Sequence, residues 1–108
     1  MSLDVYLERE QIVRFAFNAN ITHNLTEMAD EAGIYEIVWA PEENGITHAY
    51  QLIDPLRAAI DAMLADPDRF KKHDAKNGWG TYKDFVPWLE RYLAACIEEP
   101  GALVSASR

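Results

Sequence analysis

SLDVYLE, Ser2–Glu8, is the stretch on which the fold turns. Leu3, Val5 and Leu7 alternate with Asp4, Tyr6 and Glu8, which is the period of a strand with one face against a core. QIVRFAFNA, residues 11–19, reads the same way: Ile12 and Val13 are β-branched, and Phe15 and Phe17 share a face. The short ERE connection between the two makes a hairpin the simplest pairing. At the far end of the chain ALVSAS, residues 102–107, sets Leu103, Ser105 and Ser107 against Ala102, Val104 and Ala106. This tail is expected to pair with the first strand.

The sequence between these ends reads mostly as helix. Thr22 offers an N-cap hydroxyl, Leu25, Met28, Ala29 and Ala32 follow at helical spacing, and Gly33 closes the helix. IYEIVWA, residues 34–40, returns to β-branched and aromatic residues, so an additional strand is expected there, stopped by Pro41. PEENG reads as a turn. A second capping threonine, Thr47, precedes an apolar face of Leu52, Ile53, Leu56, Ile60, Met63 and Leu64. Pro55 interrupts this face and implies one kinked helix or two placed end to end, the unbroken face favouring one.

Asp66-Pro67 starts a short helix carrying Phe70, and DAKNGWG, residues 74–80, is a loop. Thr81 or Asp84 opens the last helix, with Phe85, Leu89, Leu93, Cys96 and Ile97 as its buried stripe. Pro87 fits its first turn if Asp84 is the cap. The expected fold is α+β: three to four helices on one face of a small, largely antiparallel sheet formed by the N-terminal and C-terminal strands. The 108 residues give room for one domain over 1–108.

Charge and composition exclude several classes of function. Eighteen acidic against ten basic residues give a net charge of -8, which disfavours a phosphate backbone as partner. The densest basic piece, RFKKH at 69–73, lies among Asp66, Asp68 and Asp74. The lone Cys96 forms no internal disulfide and continues an apolar helical face, so it reads as a small buried hydrophobe. There is no apolar run of membrane-spanning length and no basic leader, so the cytoplasm is the expected compartment. Phosphate loops, a GxSxG elbow and CxxC are all missing, and no cofactor is expected.

Three stretches offer candidate sites. Ile-Thr-His occurs twice, ending in His23 and in His48. At a helix start the exposed N–H groups and the dipole disfavour imidazolium, which leaves a neutral ring suited to bind a metal or take a proton. If the two starts converge, His23, His48 and Glu27 form a possible ligand set, with Glu42 or Glu43 as alternatives to Glu27. Otherwise the repeat is two ordinary caps, with Ile as the staple residue before Thr. NGWGTY, residues 77–82, puts Trp79 between glycines. Its ring either plugs the core against Phe85 or is presented, with Asn77 and Tyr82, to a ring-shaped ligand or a protein. Glu42 and Glu43 in WAPEENG, residues 39–45, read as a solvated surface turn rather than a general acid and base.

Taken together, SLDVYL, NITHNLTEMADEAGIYE, WAPEENGITHAYQLIDPLRAAI and NGWGTYKDFVPWLERYLAAC resemble a family of small bacterial and phage-encoded proteins without an assigned activity, over nearly the whole chain. The resemblance implies a prokaryotic or phage context and carries no site residue to any position here. The function expected is a non-enzymatic binding or protein-interaction module, its partner a protein or a small molecule, acting near Trp79 and the two helix starts. The alternative is a small metal-dependent or acid-base enzyme using His23 and His48. A third is an acidic nucleic-acid mimic.

Overall fold

The computed structural model describes residues 2–8 and 15–108, without the side chains at positions 15, 16 and 18. The expected strand residues 11–14 and the connection at 9–10 lie outside the described residues. Among the described residues three strands, β1 (Ser2–Glu8), β2 (Phe15–Thr22) and β3 (Leu103–Ser107), form one antiparallel sheet in the order β2-β1-β3. The alternation in SLDVYLE is why β1 takes the centre. Leu3, Val5 and Leu7 are fully buried, while the residues between them stay partly exposed.

Directly paired residues point to the same side of a sheet. Leu3↔Ile21, Val5↔Ala19 and Leu7↔Phe17 on one side of β1, with Val5↔Ala106 and Leu7↔Val104 on the other, therefore make a single apolar face. The opposite face carries Ser2, Asp4, Tyr6, Asn20, Thr22, Ser105 and Ser107, none of which is buried. The register slips by one residue between Leu7 and Glu8, as at a β-bulge.

Among the described residues there are five α-helices, α1 (Thr26–Glu31), α2 (Tyr35–Trp39), α3 (Tyr50–Ala65), α4 (Pro67–Lys71) and α5 (Tyr82–Glu98), of which α2 packs on β3 and α5 on β2, with α3 packed on α5. Short 3-10 turns at His23–Leu25 and Pro41–Asn44 precede α1 and follow α2. Helix α1 ends in a Schellman motif: Gly33 N–H donates to the Asp30 carbonyl and Ile34 N–H to the Ala29 carbonyl, each at 3.0 Å. This geometry requires the left-handed φ of +78° that Gly33 adopts.

The expected strand at 34–40 is helix α2 instead. The Schellman turn buries Ile34 against the core, and Ile37 and Val38 then follow at i+3 and i+4, so a helical turn buries Ile34 and Val38 together and packs the half-buried Ile37 beside them. β-branched composition loses to this packing.

α3 is one continuous helix through Pro55, as its unbroken apolar face implied. Thr47 does not cap it. Instead the Gln51 side-chain oxygen accepts from the N–H groups of Thr47 and His48 at 2.8 and 2.9 Å, the half of a capping box that reaches backward. The next two N–H groups, of Ala49 and Tyr50, donate to the Ala102 and Pro100 carbonyls, and Val104 N–H donates to the Thr47 carbonyl. The start of α3 therefore fixes the segment that leads into β3. Leu52, Leu56, Ile60 and Met63 are buried as expected, whereas Leu64 is 54% exposed because it falls outside the arc that meets α5.

α5 opens at Tyr82, with Thr81 rather than Asp84 at the cap position. Asp74 reaches over from the preceding loop and accepts from Tyr82 N–H at 2.7 Å, which sets the start upstream and places Pro87 in the second turn. The buried stripe is rotated from the expected one. It runs through Phe85, Val86, Trp88, Leu89, Tyr92, Ala95 and Cys96, leaving Leu93 half-buried and Ile97 48% exposed. The large rings of Trp88 and Tyr92 take the inward positions, where they bury more apolar area than Leu93 and Ile97 would.

Candidate functional site

Local chemistry around the end of β2 builds one surface. Thr22 Oγ1 accepts from Asn24 N–H at 3.2 Å and starts the 3-10 turn that carries His23. Trp39 Nε1–H can only donate, and it donates to His23 Nδ1 at 2.8 Å, so the proton of the neutral imidazole sits on Nε2. Trp39 is itself held by packing. A chain of ring contacts runs from it through Phe85, Trp88 and Tyr92 to Phe17 on the sheet, with centroids 5.5–6.3 Å apart. His23 is thus oriented from the core outward.

The loop at 74–80 docks on this turn. Asn24 Nδ2 donates to the Trp79 carbonyl at 2.7 Å. Gly80 is buried there with φ +113°, and a Cβ on it would lie 2.9 Å from Asn24 Cβ and 3.2 Å from Thr22 Cγ2. Only glycine allows so close an approach. Within the loop, Asn77 Oδ1 accepts from Trp79 N–H at 2.9 Å and Ala75 N–H donates to the Gly80 carbonyl at 2.9 Å. These bonds fix the backbone while the Trp79 side chain points out, 74% exposed. It does not plug the core against Phe85. The indoles packed on Phe85 are those of Trp39 and Trp88, with ring centroids 6.3 and 6.2 Å away.

Two shallow depressions flank the turn. One, of about 350 Å³, is lined by Ser2, Asn20, Thr22, His23, Asn24 and Trp79. The other, of about 450 Å³, lies beyond His23 and Asn24 and includes Glu27, Lys72, His73 and Lys76. Glu27 lies 3.8 Å from His73. Glu31 receives Arg69 at 2.9 Å, His73 at 3.3 Å and Lys72 at 3.5 Å. The hydrogen bond from Arg69, then that from His73, pulls the Glu31 carboxyl down to about 2.

The remaining candidates lie as follows. Tyr82 spends its hydroxyl on the Met63 carbonyl at 2.8 Å and Asn77 spends its side-chain oxygen on the loop turn, so both shape the Trp79 loop. His48 occupies a different neighbourhood from His23: its Nδ1 is 2.8 Å from Thr47 Oγ1, its ring lies 5.8 Å from Tyr50, and its backbone bridges to Leu103. Among the described residues no group of three His, Cys, Asp or Glu is placed to hold a metal ion, and His23, Glu27 and His48 form no such set. Glu42 and Glu43 are exposed and both meet Arg108, at 3.6 and 3.0 Å. Cys96 is buried, and that burial pushes its thiol up to about 12, so it is no nucleophile at neutral pH.

Sequence reasoning does not single out Asn20, Asn24 or His73; it marks the glycines flanking Trp79 as points of close backbone approach, and the structure shows Gly80 approaching Asn24 and Thr22 of its own chain. An asparagine after Thr-His and the tryptophan at position 79 are visible in the chain, but their meeting across 55 residues is not. No family model, curated protein or solved structure matches the chain.

Proposed function

We propose that the chain is a non-enzymatic binding module whose contact surface is the Trp79 face. The observation that carries this reading is an indole held out to solvent by a loop whose backbone is hydrogen-bonded on both sides of it. Exposing so large an apolar ring forfeits the stabilisation its burial would supply, and fixing the backbone beforehand lowers the ordering cost of an encounter. Aromatic anchors of this kind supply a large share of binding energy once a partner covers them.

The metal-dependent or acid-base alternative has a weaker basis, since His23 and His48 occupy separate neighbourhoods. The reading as a nucleic-acid mimic gains nothing from this face, where Lys72, Lys76 and His73 interrupt the acidic surface. The resemblance to bacterial and phage-encoded proteins directs the search to a bacterial cytoplasm.

The test is affinity capture from a bacterial lysate with the natural chain and the Trp79→Ala and Leu64→Ala variants. Leu64 is the exposed apolar control. Specifically retained material, protein or glycan, should be lost with Trp79→Ala and kept with Leu64→Ala. Retention unchanged by Trp79→Ala sinks the proposal.

A further inference from the structure

We infer that the depression beside Trp79 binds a neutral, polyhydroxylated ring, a sugar unit of an oligosaccharide. This inference rests on the reading of the Trp79 face as a binding surface and names what it binds. Among the described residues the lining contains no side chain of fixed charge: it consists of Ser2, Asn20, Thr22, His23, Asn24 and Trp79. A phosphate or carboxylate would find no counter-ion in that lining, and the net charge of -8 opposes anions further. Trp79 is the one large apolar group among these six, so an extended hydrophobic segment would find a single foothold among polar atoms. A ring with an aliphatic C–H face and a polar edge fits both features, since the electron-rich face of an indole attracts polarised C–H groups.

The hydrogen-bond valences around the indole support the same ligand. Asn20 donates both Nδ2 hydrogens, to Ser2 Oγ and to Asp4 Oδ1, each at 2.8 Å, so its carbonyl oxygen is what it offers a ligand. Asn24 donates one hydrogen to the Trp79 carbonyl and keeps a second N–H and its oxygen. His23 accepts at Nδ1 and so donates from Nε2. The hydroxyls of Ser2 and Thr22 accept from Asn20 and from Asn24 N–H, which leaves each with its hydrogen to donate. Donors and acceptors thus lie interspersed along one rim. A row of hydroxyl groups, each able both to donate and to accept, is the chemical class that matches such a rim. Because these side chains are already oriented by bonds among themselves, a ligand would find them ordered beforehand.

The experiment is a glycan array carrying neutral, sialylated and phosphorylated oligosaccharides, probed with the natural chain and with Trp79→Phe, Trp79→Leu and Trp79→Ala. Bound glycans are then titrated by proton-nitrogen correlation spectra. Neutral glycans should bind. They should shift the Trp79 indole N–H and the Asn20 and Asn24 side-chain amides, and leave in place the side-chain amides of Asn44 and Gln51, which donate to the Ala40 and Gly45 carbonyls outside the depression. Trp79→Phe should retain binding, whereas Trp79→Leu and Trp79→Ala should each weaken it by about tenfold or more. Binding kept by Trp79→Leu, binding of charged glycans alone, or no binding across the array overturns the inference. If the array is silent but Trp79→Ala still loses a protein partner in the capture experiment, the sugar assignment falls and the binding module stands. If the capture is also indifferent to Trp79, both fall.

Discussion

Ile21-Thr22-His23 and Ile46-Thr47-His48 are one tripeptide written twice, and the molecule uses the two copies differently. In the first, Thr22 caps the following turn, and Trp39 holds His23 at the mouth of a depression. In the second, Gln51 takes the capping role, Thr47 becomes a donor to Gln51 Oε1, and the segment clamps the approach to β3. The residues that follow each copy account for much of the difference. Asn24 turns the first toward the 74–80 loop, while Gln51 turns the second back on itself. A repeated motif therefore says less about a shared site than about a shared local preference, and the surroundings decide its use.

Substitutions at the two copies should separate them further. The largest effect is expected at Gly80, which packs on the first copy. Gly80→Ala puts a Cβ into Asn24 at an unfavourable positive φ and should cost about 3 kcal/mol. Gly45→Ala, beside the second copy with φ +76° and open space around the new Cβ, should cost only about 1 kcal/mol. Urea unfolding of both variants gives the difference directly. Equal costs would mean that the loop does not dock as tightly as the 2.9 Å approach implies.

Next comes Trp39→Phe, which keeps a ring in the core but removes the donor to His23. It should cost about 2 kcal/mol and free the His23 ring, seen as a change in its imidazole nitrogen resonances with no change at His48. Gln51→Ala should cost about 1 to 2 kcal/mol. It removes the acceptor shared by Thr47 and His48, and amide exchange should rise at 47–48 but not at 22–24.

The smallest effect at neutral pH is expected from Glu31→Gln, in the ion cluster bordering the first copy's second depression. The folded-state carboxyl is depressed from 4.5 to about 2, so its contribution is present above pH 4.5 and is lost as pH falls through that window. Denaturation midpoints followed from pH 6 to 2 should fall less steeply for Glu31→Gln than for the natural chain. Parallel curves would show that the cluster adds no pH-dependent stability. Because the group is solvated, salt should weaken the effect.

Features that a local period or a local cap can encode were legible in the chain before any folding was considered. The alternation in SLDVYLE marks the central strand and the face it buries, the tail's alternation marks its pairing face, and Thr22, Gly33 and Asp66-Pro67 mark the ends of helices where the chain uses them. Long-range packing settled the elements in which two local readings competed. At 34–40, β-branched residues favoured a strand until the Schellman turn after α1 placed Ile34 and Val38 on one inward side. In α5, neighbouring apolar positions allowed more than one stripe, and the rings of Trp88 and Tyr92 settled which faced inward.

The candidate site belongs wholly to this second kind. Trp79 carried a visible signal, but its exposure depends on Asn24 and Gly80 meeting across the β2 turn, and the neighbouring depression on Ser2, Asn20 and Trp79 converging from three parts of the chain. Neither spacing nor composition encodes such a meeting. It is created when burial of the apolar face of β1 draws the helices, and with them the loops, to one side of the sheet.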